Sequence, residues 1–117
     1  MFPTAKWCAR LTVNPLVFDT SRDLFEVARN FAHFFRHESC GFCTPCRTGT
    51  ALIGEIMDKI ADGRGTQYEM SELMRIQAVM KASSHCGLGQ TAGNALADTI
   101  QKFRPAYERR LAQRDFL

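Results

Sequence analysis

Apolar residues recur along most of this chain at spacings of three and four, the period of helices that each bury one face. Leu24, Val27, Ala28, Phe31, Phe34 and Phe35 form the first stripe, which predicts a core-facing helix ending near His37. Thr20 and Asp23 stand before it at capping-box spacing, with Asp a weaker partner at the third position than Glu. Leu52, Ile53, Ile56, Met57 and Ile60 make the second stripe. That helix is expected to open with Thr44 as N-cap and Pro45 at the first helical position, where no amide partner is needed. Gly63 supplies its stop. A third helix should run from about Glu69 to Ala82, with Leu73, Ile76, Val79 and Met80 inward and Thr66 or Ser71 as cap. The fourth is expected from about Gln90 to Phe103, with Ala95, Leu96, Thr99, Ile100 and Phe103 inward. Pro105 then starts or kinks a last helical segment through Tyr107 and Leu111.

Only the beginning departs from this period. Leu11 to Phe18 is β-favouring through Val13, Val17 and Phe18, but Pro15 removes an amide donor and reduces the run to an edge strand or an extended arm. The pattern as a whole predicts an all-α fold, a four-helix bundle preceded by a short extended N-terminal segment. Residues 1–18 are the arm or a remnant strand, and residues 19–117 the helical domain.

A length of 117 residues fits one small domain with a modest core. The net charge of +3 changes little. Part of the surplus lies in Arg104, Arg109, Arg110 and Arg114, interleaved with Glu108 and Asp115, which reads as a solvated helix face. No basic patch with base-reading or stacking groups is present, which argues against nucleic acid as a partner. No run of about 18 apolar residues occurs, so no membrane span is expected. Met1 to Arg10 lacks the apolar segment of a secretory signal. Five cysteines, an odd number, then favour metal binding in a reducing, cytoplasmic compartment over disulfides.

Four of those cysteines carry the chemistry. Cys40, Cys43 and Cys46 stand in the run Glu38-Ser39-Cys40-Gly41-Phe42-Cys43-Thr44-Pro45-Cys46-Arg47-Thr48-Gly49, and Cys86 in Ser84-His85-Cys86-Gly87-Leu88-Gly89-Gln90. Three thiols in one tight loop need a fourth ligand from elsewhere, and Cys86 is the only other cysteine set among glycines. Four thiolates without a histidine at ligand spacing suit a cubane iron–sulfur cluster or, less well, a structural zinc. A ferredoxin run would place its next cysteine three residues on, followed by proline. Arg47-Thr48-Gly49-Thr50 follows here instead, which disfavours that fold. Zinc usually takes two Cys-x2-Cys pairs, and the second pair is absent.

The surroundings suit an anionic cluster. Cys43 and Cys46 lie astride a helix start, where free amides and the positive end of the dipole point. Gly41, Gly87 and Gly89 allow close backbone approach or positive φ, and such amide-to-sulfur bonds raise a reduction potential. Arg47 adds positive charge or serves as a salt-bridged surface residue. Cys8, beside Trp7, reads as a spare thiol. His85 reads as a surface or neighbouring group rather than a ligand. His33 and His37, four apart on the first helix, read as two solvent-facing histidines, and the methionines as core packing.

Phe34 to Gly49 and Cys86-Gly87-Leu88-Gly89-Gln90-Thr91-Ala92 resemble the C-terminal iron–sulfur domain of the NADH-binding flavoprotein subunit of respiratory NADH dehydrogenase (complex I). Soluble relatives share that domain: diaphorase subunits of NAD-reducing hydrogenases, NAD-dependent formate dehydrogenases and electron-bifurcating hydrogenases. The resemblance covers roughly residues 20 to 112. It implies a helical bundle with one 4Fe–4S cluster at one end on Cys40, Cys43, Cys46 and Cys86, and one-electron transfer from reduced FMN. In the family a Gly-rich domain that binds FMN and NADH and a β-grasp domain precede this one, and neither fits before Asp19. FMN and NAD(H) are therefore expected only on a partner or another domain, and the chain alone is not expected to oxidise NADH. The implied partners are a flavin/NADH-binding subunit or domain and further iron–sulfur subunits. The arm at residues 1–18 would pair with the flavin-carrying part or dock on a partner. Gly93 stands where many relatives carry proline. A second class of function stays open at this point, a binding or scaffold domain whose cluster or zinc is structural and redox-silent.

Overall fold

Asp23 opens the first helix, α1 (Leu24–Glu38), from an extended backbone. Its carboxylate Oδ1 accepts from the Phe25 amide at 3.1 Å, taking up one of the donors that a first turn leaves free. Asp23 is thus the cap itself and not the third residue of a box begun by Thr20, which lies outside the described residues. The structure, a computed structural model, describes residues 21–111 throughout and residues 8–10 and 15–17 as backbone. The described residues are predominantly helical.

α1 buries Leu24, Phe25, Ala28 and Ala32 against α2 and α5. Its apolar stripe is wider than that contact, so Phe34 stays 53 % exposed while Phe31 and Phe35 are half-buried. In α2 (Thr44–Ala61) the cap is Cys43, one residue before the expected Thr44, because the helical ladder already begins with Arg47 N–H on the Cys43 carbonyl at 3.1 Å. Pro45 still falls in the first turn, where its missing donor costs nothing. At the other end Gly63 takes φ +78°. The amides of Gly63 and Arg64 reach back to the carbonyls of Ile60 and Lys59 at 3.0 and 3.1 Å, a Schellman stop that needs glycine at the left-handed position.

Thr66, rather than Ser71, caps α3 (Gln67–Ser83). Its backbone N–H donates to Glu69 Oε2 at 2.8 Å, its hydroxyl donates to the same oxygen, and Lys59 Nζ of α2 holds Oε1. Leu73 and Met80 are buried as expected, but Val79 is 59 % exposed and Leu52 of α2 41 %. Both line a groove that α2 and α3 leave open to solvent, so neither contributes to the core.

The fourth stripe is two helices, not one. α4 (Gly87–Thr91) stops at Ala92, and α5 (Asn94–Lys102) restarts after Gly93. Gly93 is buried against α3, and a Cβ there would overlap the Gln77 side chain. The break therefore lets the chain pass close over α3. α6 (Arg104–Glu108) carries Pro105 in its first turn, and Leu111 bridges in parallel to Gly65.

One core joins these helices, with Phe25, Ile53, Met57, Ile60, Leu73, Met80, Leu96, Ile100 and Tyr107 at its centre. Each large side chain buried there contributes about 1.5–3 kcal/mol. Tyr107 is fully buried, meets Phe25 edge-on at 5.2 Å between ring centres, and shares a hydrogen bond of 2.6 Å with Thr99 Oγ1. Burial pushes the Tyr107 hydroxyl well above the ordinary tyrosine range. Arg110 does not belong to a solvated face: it pairs with Asp23 and lies 4.5 Å over the Phe25 ring, tying the C-terminal segment to the start of α1.

Before α1, β1 (Cys8–Arg10) and β2 (Pro15–Val17) pair antiparallel, Cys8 opposite Val17 and Arg10 opposite Pro15, with β1 beside α5. Pro15 sits at the end of that two-stranded ribbon, where a lost donor is tolerated. Among the described residues no helix is long and apolar enough to cross a membrane.

Candidate metal centre

The loop between α1 and α2 is built by short-range hydrogen bonds. Ser39 leaves α1 with its amide on the Phe35 carbonyl at 3.0 Å and its backbone extended. Its Oγ accepts from Gly41 N–H at 3.3 Å and lies 3.2 Å from Cys46 Sγ. Gly41 turns the chain at φ +77°, which a side chain would oppose. Arg47 donates from Nη1 to the Gly41 carbonyl at 2.9 Å and from Nη2 to Thr44 Oγ1 at 3.4 Å, so its charge is fixed over the loop. Thr50 Oγ1 donates to the Cys46 carbonyl at 2.7 Å. Cys43 and Cys46 are buried and Cys40 is exposed.

The second segment starts where α3 ends. Ser84 is held at both backbone groups, its N–H on the Met80 carbonyl at 3.0 Å and its carbonyl accepting from Gln90 Nε2 at 3.1 Å. Cys86, exposed, is the cap of α4. This segment lies on the cysteine loop. The backbone amides of His85 and Cys46, with the charge of Arg47, lower the Cys43 thiol pKa below its ordinary value against the effect of burial. The rings of Phe42 and His85 meet edge-on at 5.5 Å. Gly89 of α4 lies so close to the first turn of α2 that a Cβ would overlap Ser84 and stand 3.0 Å from Cys46 Cβ. Gly87, by contrast, has no protein atom within 4 Å of a Cβ and no positive φ; within the chain itself, the left-handed turn is at Gly41 and the close approach at Gly89.

Two features decide what this end of the molecule suits. Ser84 Oγ is buried without a hydrogen-bond partner among the described residues, and the residue is only 7 % exposed. Such an orphan costs about 1–3 kcal/mol, and here it faces Cys46 and Gly89. The Cys43 side chain makes no capping hydrogen bond to the first turn of α2, so that positive helix end has no side-chain cap. An unpaired hydroxyl and an uncapped helix start beside buried thiols fit a sulfur-rich anionic group. Among the described residues no three or more His, Cys, Asp or Glu converge as ligands of a single ion. A cubane does not require such a shell, since it takes one thiolate at each of four irons. The thiols that could hold it are those of Cys40, Cys43, Cys46 and Cys86.

The other candidates fall elsewhere. His33 keeps much of its side chain in solvent, as expected, but is not unengaged: its Nε2 lies 2.9 Å from Asp58 Oδ1, which Arg29 Nε also contacts at 2.9 Å, and the three tie α1 to α2. Burial works to raise the Asp58 pKa, but the hydrogen bonds and charges of Arg29 and His33 outweigh it and lower it. His37 is exposed beside Glu38 at 3.0 Å. Cys8 begins β1, and its side chain lies outside the described residues. Two residues of the site, Ser39 and Ser84, had no role in the sequence reading, because a serine carries no periodic or spacing signal.

Residues 26–110 match the family model described as the NADH-ubiquinone oxidoreductase-F iron-sulfur binding region. The chain belongs to this family. An iron–sulfur cluster is accordingly the cofactor of this region, and electron transfer its role. Among curated relatives, the chain is 38 % identical over 93 residues to the HndC subunit of an NADP-reducing hydrogenase from Solidesulfovibrio fructosivorans, covering 80 % of this chain and 19 % of that one. It is 31 % identical over 99 residues to the alpha subunit of the NAD-reducing hydrogenase HoxS from Cupriavidus necator, covering 85 % and 16 %. A solved NAD+-reducing [NiFe]-hydrogenase in the H2-reduced state superposes with a TM-score of 0.81 at 44 % identity, over 86 % of this chain and 18 % of that one. The chain thus spans about a fifth of the length of these relatives.

Proposed function

We propose that the chain is a one-electron relay of an NAD(P)H-linked oxidoreductase, holding a single 4Fe–4S cluster on Cys40, Cys43, Cys46 and Cys86. The observation that carries this reading is the meeting of the two cysteine segments, made by the Phe42 ring edge-on to His85 and by Gly89 against Cys46. When bound, such a cluster supplies reversible one-electron chemistry. Cys43 and Cys46 anchor it on the buried side, and Cys40 and Cys86 hold the exposed side, where electrons exchange with a partner. Arg47 and the amides of His85 and Cys46 offset the negative charge that reduction adds, which raises the potential.

The names of the relatives join this region to NAD- or NADP-reducing hydrogenases and to NADH-quinone oxidoreductase. In the proposal, FMN and NAD(H) sit on a flavin-carrying partner or domain, which turns the two electrons of a hydride into single ones, and further iron–sulfur subunits lie beyond. Residues 19–117 act as the cluster-carrying unit, and residues 1–18 as the arm that docks it. The test is reduction of the anaerobically reconstituted chain. Dithionite should reduce it, NADH alone should not, and FMN should not bind. Tight FMN binding, NADH turnover, or a loaded chain that accepts no electron would overturn the reading.

A further inference from the structure

Ser84 is the one described residue with a buried side-chain polar atom that lacks a partner. A hydroxyl stripped of water and left without an acceptor is costly, and native structures keep such groups where a missing partner has a job. Its surroundings identify that partner. The Ser84 backbone is pinned at its N–H by Met80 and at its carbonyl by Gln90, so only the rotation about χ1 moves the hydroxyl. The hydroxyl crowds the same point as Cys46 Cβ, at the face of Gly89. The neighbouring hydroxyl of Ser39 already lies 3.2 Å from Cys46 Sγ, so a serine approaches the Cys46 side of the site from each of the two segments. Ser83, next in the chain, shows the contrast: it is exposed, and its hydroxyl donates to the Val79 carbonyl at 2.6 Å.

We infer that the Ser84 hydroxyl is a hydrogen-bond donor to sulfur on the Cys46 side of the iron–sulfur cluster, and that it sets the reduction potential of the site. The inference rests on the cluster reading above and adds a residue to it. A hydrogen bond to sulfur stabilises the more negative, reduced state, so it raises the potential. Ser84 is a positioning and tuning residue, not a ligand: its removal should leave the metal count alone and move the couple.

The experiment uses the full chain, reconstituted anaerobically, with iron and sulfide content and an EPR-monitored redox titration as readouts. Ser84→Ala should keep the wild-type iron content and become about tenfold harder to reduce, a fall of about 59 mV for a one-electron couple. Ser84→Thr, which restores the donor, should return the potential towards wild type, and Ser83→Ala should leave it unchanged. An unshifted potential in a fully loaded Ser84→Ala chain overturns the inference, as does an equal fall in Ser84→Thr. Should Ser84→Ala hold no iron, Ser84→Thr decides: iron and a wild-type potential there support the inference, and loss there overturns it. A wild-type chain that takes up no iron overturns the cluster reading and this inference with it, an outcome distinct from an unshifted variant.

Discussion

Two glycines of α4, two residues apart, should respond to alanine in opposite directions. At Gly89 a Cβ would overlap the Ser84 side chain and stand 3.0 Å from Cys46 Cβ. The Ser84 hydroxyl can rotate aside, but its Cβ, 2.5 Å from the added carbon, cannot, because the backbone is bonded at both groups. α4 must therefore move off Ser84 at the end of α3. Over-packing of this kind costs about 1–3 kcal/mol, and the helix preference of alanine offsets up to about 1 kcal/mol. The net expectation is a loss of about 1–2 kcal/mol, a fall in Tm of about 4–8 °C for a chain of this size. At Gly87 a Cβ meets nothing within 4 Å and φ is not positive. Gly87→Ala should gain about 0.4–1 kcal/mol by restricting the unfolded chain. Thermal unfolding of the loaded chains by circular dichroism, with iron content measured beside it, checks both. Gly89→Ala should also lose iron, because the displaced α4 carries Cys86 away from Cys46. A Gly89→Ala chain as stable and as iron-rich as wild type would refute the packing argument, and so would a Gly87→Ala chain that is the weaker of the two.

Cys86→Ala should abolish cluster binding and much of the thermal stability, since the metal ties two segments together and its binding adds to folding free energy; Cys8→Ala should change neither iron content nor Tm. Glu69 is held at about 2, below its ordinary 4.5, because bonds from Lys59 and Thr66 outweigh the burial that would raise it. A lowered folded-state pKa contributes stability above pH 4.5 that is lost as pH falls towards 2. That contribution is about 2 kcal/mol after solvent screening at the half-exposed Lys59. Denaturant unfolding of wild type against Glu69→Gln should therefore converge as pH falls through that window. Tyr107→Phe should cost about 1 kcal/mol in the same assay, the worth of one buried hydrogen bond to Thr99.

Features that depend on near neighbours in the chain were legible. The stop of α2 at Gly63 follows from a glycine, and of the two caps open for α3, Thr66 and Ser71, the structure uses Thr66, which has Glu69 three residues on. The cap of α2 fell one residue earlier than Pro45 suggested, because the cysteine before Thr44 already starts the ladder. Periodicity overstated burial at Phe34, Leu52 and Val79, since a stripe records which residues share a face and not how much of that face a neighbour covers. It also ran α4 and α5 together: Ala92 and Gly93 fit the helical period, and only the approach of Gln77 in α3 shows why the chain breaks there. In the site, the cysteines announced themselves by spacing. Ser84, His33 and Arg110 did not, because their roles depend on partners brought up by tertiary folding.

The central claim is that this chain carries one redox-active cubane on four named thiols. Iron, sulfide and zinc analysis of the anaerobically prepared chain, followed by EPR of the same sample before and after dithionite, addresses it directly. The account predicts about four irons and four sulfides per chain, a paramagnetic signal on one-electron reduction, and loss of both in Cys86→Ala. Stoichiometric zinc with no iron uptake, or a cluster that stays silent to dithionite, would contradict it.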